Sequence, residues 1–220
     1  MSVTLAIGTQ IQIASGYGAV KAMSAISNAA QAVATLESSH GVAGGEYVEL
    51  TSGWGRLNGR VVRALSVSTN DVTLEGIDTG STAAIAAKYP SGTGAGSVRE
   101  ITGWTTVSQL TRNIQVSGGG QQFADISDLE DVLDKRIPTT RSPIDVSLPL
   151  YFDPTLAWWA TVLAASEAAT PFAVRMLFPN SSKLIANAYW SLQEVPTIED
   201  STLRGRIDLS FSAAPKTYAT

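Results

Sequence analysis

The sequence predicts a mainly β protein: antiparallel sheets of the kind that close into sandwiches or barrels, one packed α-helix over about 153–169, and an additional small β module. Period-two alternation is the first reason. It is cleanest at Ile144, Val146, Leu148 and Leu150, and again at Leu203, Ile207, Leu209 and Phe211. Turn signals such as Asn58-Gly59 and Thr69-Asn70-Asp71, which tolerate left-handed backbone, punctuate the alternating runs. A single segment, opened by Asp153-Pro154, has a helix start followed by apolar residues at helical spacing.

From the amino end, Val3, Leu5, Ile7, Ile11 and Ile13 alternate with Thr4, Gln10 and Gln12 as a half-buried strand does. Residues 46–50 form a strand entered through a glycine-rich turn. In the next strand, 60–68, Val61, Leu65 and Val67 share one face; Val72 and Leu74 then return, completing a small meander. Residues 79–97 are rich in Gly, Ser and Ala and read as a linker or long loop.

Residues 98–107, 112–117 and 122–127 read as further strands, followed by a charged stretch over 128–141. The strand at 144–150 carries Pro149, which cannot donate to a ladder and so favours an edge or a bulge. Asp153 suits an N-cap and Pro154 the first helical position; Leu156, Trp159, Val162 and Leu163 then bury one helix face. After Thr170-Pro171, Phe172, Val174, Met176 and Phe178 alternate into a hairpin that turns at 179–182. The return strand puts Leu184, Ala186, Ala188 and Trp190 on one side, and the terminal strand points Arg204, Arg206, Asp208 and Ser210 outward.

Composition argues against catalysis. The chain has no cysteine, which removes disulfides, thiolate metal sites and cysteine nucleophiles. Its one histidine, His40, lies between Ser39 and Gly41 and reads as a turn residue, since adjacent residues rarely make a dyad. Gly92, Gly94 and Gly96 begin a dinucleotide fingerprint but lead into a strand, and 118–120 lacks the Lys-Ser/Thr of a phosphate loop. Asp125, Asp128, Glu130, Asp131 and Asp134 cluster without the central Gly and terminal Glu of a calcium loop. No cofactor or metal is expected.

A net charge of −4 gives the chain no bulk attraction for nucleic acid or anionic lipid. No run is long and apolar enough for a bilayer, and the first residues lack a signal peptide's basic start, so a cytoplasmic chain is expected. Of five tryptophans, Trp159 and Trp190 fall on apolar faces, while Trp54, between Gly53 and Gly55, is read as an exposed aromatic contact.

Several segments in order carry a resemblance. Residues 122–127 lead through an acidic loop into 144–148, Phe152-Asp153-Pro154-Thr155 opens the helix, and a hairpin at Pro179-Asn180 precedes the terminal strand. This order resembles the tail tube proteins of long-tailed bacteriophages. The stretch through Ser24-Ala25-Ile26-Ser27, His40-Gly41, 45–48 and 72–76 is similar to a small β module met in phage tail proteins.

The resemblance implies a β-sandwich or half-barrel subunit with a flanking helix, a virion tail component assembled in the host cytoplasm, and no enzymatic activity. It implies homo-hexameric rings stacked into a hollow tube through which phage DNA passes without specific binding. Implied partners are further copies of the chain and other tail proteins: tape measure, tip or baseplate, and terminator. It divides the chain into an arm and first strand (1–21), an inserted or added β module (22–98) and a tube-like core (99–220). It places ring stacking in 128–141, with Asp128, Glu130, Asp131, Asp134, Lys135, Arg136 and Arg141. Two other readings fit the sequence: a different tail part (terminator, adaptor or decoration protein), or a carbohydrate- or receptor-binding β module using Trp54.

Overall fold

Two long strands organise the chain. The computed structural model describes residues 7–128, 133–199 and 201–219. In its amino-terminal part lie β1 (Gln10–Ile26), β2 (Val33–Leu36), β3 (Tyr47–Ser52), β4 (Arg60–Ser68), β5 (Asp71–Leu74) and the one-turn helix α1 (Ala83–Ala86). Then come β6 (Gly96–Val107), β7 (Gln115–Gly118), β8 (Gln121–Asp125), β9 (Arg136–Arg141), β10 (Ile144–Tyr151) and α2 (Ala157–Ala168). The chain ends with β11 (Phe172–Leu177), β12 (Lys183–Leu192), β13 (Thr197–Glu199), β14 (Thr202–Phe211) and β15 (Lys216–Tyr218).

Strands β1 and β6 pair antiparallel from Ile11 opposite Val107 to Met23 opposite Gly96. The pairing slips repeatedly between Ala14 and Val20, which bends both strands midway. Gly16 permits the close approach there: a Cβ would lie 2.8 Å from Thr102 Oγ1. Each half of the bent pair therefore serves a different core.

In the first half, β1 and β6 join β2, β5, β4 and β3 in a closed ring of six strands. This small barrel is filled by Met23, Val48, Leu50, Val62, Leu74 and Val98, among others. In the second half, the remaining lengths of β6 and β1 continue into β11, β12, β14, β10 and β7 as one antiparallel sheet. One face of that sheet and helix α2 enclose Ile11, Ile13, Leu148, Leu150, Trp158, Val162, Trp190, Ile207 and Leu209. Strands β8 and β9 form a separate two-stranded ribbon.

The chain is mainly antiparallel β with one sizeable helix, as expected, but several local readings need correction. Helix α2 begins at Ala157 with Leu156 as N-cap, not at Asp153. The Asp153 carboxylate instead accepts from Thr155 N and Oγ1 at 3.0 and 2.7 Å, closing a turn before the helix. Trp158 is the fully buried indole of the pair, donating to Ser108 Oγ at 3.1 Å, and Trp159 is only partly buried.

Residues 79–97 are, up to Ala95, a long loop that carries the one-turn helix α1, but the loop is tied to the barrel and is not a free linker. Asn28 Nδ2 donates to the carbonyls of Thr79 and Tyr89, Thr79 is wholly buried, and Thr82 caps α1. Small residues here allow close packing against the barrel, a role that composition alone cannot separate from flexibility. Leu65 is exposed because the register shifts between Ala64 and Ser66, turning the alternation out of phase. Leu203 is exposed because β14 outruns the core, whose end is marked by buried Gly205 against Leu150.

Candidate assembly surfaces

The expected stacking loop is in large part a hairpin. Strand β7 pairs with β10 up to Gly118 opposite Ile144, and the ladder continues past the sheet into β8 and β9, from Gln121–Arg141 to Asp125–Arg136. Gly118, at φ +80°, makes the departure possible, since a Cβ there would lie 1.8 Å from the Pro143 carbonyl oxygen. Arg136 and Arg141 thus belong to a strand rather than a loop. The sequence hid this strand because both faces of the ribbon are solvated, so no alternation marks it. The β-branched Ile137, Thr139 and Thr140 were the available signal.

At the ribbon's outer end Ile126 N donates to the Lys135 carbonyl at 2.9 Å, and Lys135 N donates to Ser127 Oγ at 2.8 Å. The Asp125 carboxylate accepts from the Ser127 hydroxyl and backbone N–H, which hold its pKa below the usual carboxylate value. Asp128 and Asp134 are exposed; Glu130 and Asp131 lie outside the described residues, as does the extreme amino end at 1–6. Every residue of β9 and nearly all of β8 is exposed, Phe123 and Ile137 among them, and so are Ile126 and Leu133 beside the ribbon's outer end. The ribbon thus carries four large apolar side chains on or beside it in the open.

A second surface is the outer face of the sheet at β7, β10, β14 and β12. Ser117, Asp145, Ser147, Asp208, Ser210 and Tyr189 line a shallow groove of about 450 Å³ along it. Cross-strand register puts Asp145 opposite Ser210 and Ser147 opposite Asp208, and Arg206 Nε donates to Asp208 Oδ2 at 2.8 Å. The face is polar and mildly acidic. Strand β7 ends the sheet, and its outer edge pairs with no strand among the described residues.

Residues singled out for ligand chemistry have structural roles. His40 Nε2 lies 3.0 Å from the Thr69 carbonyl, and its Nδ1 accepts from Val42 N at 3.1 Å, so one neutral tautomer satisfies both nitrogens inside a turn. Trp54, expected to be exposed, is 3% exposed. Its indole donates to the Pro90 carbonyl and Thr93 Oγ1 and packs edge-on against Tyr89, which removes it as a contact for sugar or protein. Among the described residues no group of His, Cys, Asp and Glu could hold a metal ion, and no helix is long and apolar enough to cross a membrane.

A subunit with a projecting ribbon, an open sheet edge and side chains committed to packing is a structural building block. The family comparison gives the particular kind. A family model described as phage tail tube protein, TTP, matches residues 52–220, and the chain belongs to that family. It is a non-enzymatic structural component of the phage tail and hence of the virion. No curated protein matches the chain. A chain in the six-fold symmetrised cryo-EM structure of the anti-feeding prophage (AFP) baseplate is similar over 54% of this chain and 85% of that one, at 8% identity and a TM-score of 0.36.

Proposed function

We propose that this subunit closes into hexameric rings that stack into the hollow tail tube, the conduit for DNA during ejection. The ribbon carries this reading: it extends the β7–β10 ladder beyond the body of the subunit and bears apolar side chains that water leaves unsatisfied. We assign ring stacking to it, with Asp128, Asp134, Lys135, Arg136 and Arg141 in or beside the contact.

The unpaired outer edge of β7 supports ring closure, because an exposed edge becomes a joint when a neighbouring strand pairs with it. The polar sheet face with Asp145 and Asp208 supports a lumen wall. Each phosphate neutralised by Lys or Arg adds affinity that would retard passage, and here Arg206 is already paired with Asp208. The barrel within residues 22–98 is assigned to the outside of the tube. Tape measure, tip or baseplate, and terminator proteins are the partners this arrangement requires at the lumen and the two ends.

The test is electron microscopy of concentrated purified protein beside a variant lacking residues 128–135. Hollow tubes with an axial repeat are expected from the intact chain, and folded, unstacked subunits from the variant. Normal tubes from the variant would remove the stacking role of the ribbon.

A further inference from the structure

A small cavity of about 340 Å³ lies where the barrel meets the segment that follows β14. Three stretches of chain line it: Arg56, Asn58 and Arg60 at the entry to β4, Tyr89 from the loop after α1, and Ser212 just beyond β14. Its wall holds no carboxylate. The polar groups that the fold leaves over here can all donate. Arg60 is half-buried, with its Nε enclosed and bonded to no described residue, and Arg56 is exposed. Neither has a carboxylate partner among the described residues. Asn58 commits its Oδ1 to Ser52 N at 3.2 Å, which leaves its Nδ2 donor unspent. The Tyr89 ring is buried edge-on against Trp54, and its hydroxyl bonds to no described residue. Ser212 differs: its hydroxyl already donates to the Asn187 carbonyl at 3.1 Å.

A guanidinium stays charged at any pH the protein meets, so taking it partly out of water costs free energy that an anion or placed acceptors must return. The other half-buried arginines are all answered. Arg63 has Glu75, Arg99 has Glu49, Arg175 has Gln12 and the Trp104 ring, and Arg204 has Thr202 and the Tyr151 ring. Arg60 is the exception among the described residues. Burial lowers its pKa from the ordinary value, opposed only by the phenols of Tyr89 and Tyr218. Its missing partner is therefore an anion from outside the chain. Donors drawn from separate stretches suit the several oxygens of a phosphate, whereas a lone carboxylate is served by the fork of one arginine. The volume falls within the roughly 300–1,000 Å³ of small-molecule sites and leaves room for a group that carries the phosphate.

We propose that this cavity binds a phosphate group, free or carried on a sugar-sized molecule, with Arg60 and Arg56 answering its charge and Asn58 Nδ2 and the Tyr89 hydroxyl donating to its oxygens. The site shares no lining residue with the groove along β7, β10, β14 and β12, and none with the ribbon. It goes beyond the tube reading and does not depend on it. A ligand seated there touches both the barrel and the segment after β14, so occupancy stabilises the folded subunit.

Isothermal titration calorimetry of the full chain at constant ionic strength tests the site, with inorganic phosphate, glucose 6-phosphate and glucose as titrants. One site per subunit with a dissociation constant of about 1 mM or below is expected for at least one of the two phosphates, and no binding of glucose. Tighter glucose 6-phosphate would identify a carried phosphate as the ligand, and equal affinities the free anion; either supports the site. Arg60→Met keeps most of the apolar stem and should abolish binding. Arg56→Gln, at an exposed position, should weaken it about tenfold and keeps the test decisive even if Arg60→Met does not fold. Arg112→Gln, at an exposed arginine of a different cavity, should bind as the parent does. Phosphate should raise the melting temperature of the parent and not that of Arg60→Met. No binding of either phosphate at about 10 mM, or undiminished affinity in Arg56→Gln and Arg60→Met, overturns the proposal.

Discussion

Asn187 on β12 donates from Nδ2 to Glu49 Oε1 on β3 at 2.6 Å, joining the open sheet to the small barrel. Glu49 also accepts from Arg99 on β6, so one carboxylate ties three strands together where the bent pair passes from one core to the other. Nearby, Tyr218 of β15 accepts from Arg63 N on β4 at 2.7 Å. The two main cores are separate clusters of apolar residues, and they are coupled by these polar contacts, by the shared β1–β6 pair and by a third apolar cluster that includes Ala14, Tyr47, Ile101, Ile185 and Tyr218.

Removing the Glu49 carboxylate should therefore cost more than an ordinary surface ion pair. Asn187 is 1% exposed, and Glu49→Ala leaves its amide without that acceptor and Arg99 without its anion. The expected loss is about 3 kcal/mol, with about 1 kcal/mol for Glu49→Gln, which keeps an acceptor oxygen. Urea unfolding followed by tryptophan fluorescence and by circular dichroism measures it. A loss below about 0.5 kcal/mol for Glu49→Ala would mean the contact contributes nothing net.

Alkaline stability should be limited by two tyrosines at the same junction. Burial pushes Tyr17 and Tyr218 up to about 12 from 10.0, against backbone hydrogen bonds from Ala173 and Arg63 that act in the lowering direction. The folded-state values are raised, so the stability concerned is fully present below pH 10 and lost as pH rises toward 12. Each unit is about 1.4 kcal/mol, so each tyrosine removes roughly 2–3 kcal/mol over that window. Tyr17→Phe/Tyr218→Phe should flatten the fall in urea midpoint between pH 10 and 12, even though it lowers stability at neutral pH. An unchanged slope would place the alkaline sensitivity elsewhere.

What the sequence disclosed follows from how each element meets solvent. Ile144, Val146, Leu148 and Leu150 were legible because β10 has one face on the core and one in water. Strand β9 was not, since both of its faces are wet, and β1 was legible only in its first half because it changes partners midway. Trp54 was misread for a different reason. Its flanking glycines suggested an exposed loop, but Gly53 serves close packing: a Cβ there would lie 2.2 Å from the Thr93 carbonyl oxygen, beside the acceptors that bury the indole.

The terminal strand separates side-chain direction from burial in one experiment. Leu203 and Leu209 have the same parity on β14, yet Leu209 is 1% exposed and Leu203 is 47% exposed. Leu209→Asp places an unpaired carboxylate among Leu148, Trp190 and Ile207 and should unfold the subunit, a loss above about 4 kcal/mol. Leu203→Asp should change stability by no more than about 0.5 kcal/mol, because its side chain sits beyond Gly205, where the core has ended. Soluble yield, melting temperature and the sizing profile of the two variants decide the matter. A cooperatively folded Leu209→Asp protein would show that the inward face of β14 is misassigned, and an unfolded Leu203→Asp protein that the core extends farther along the strand.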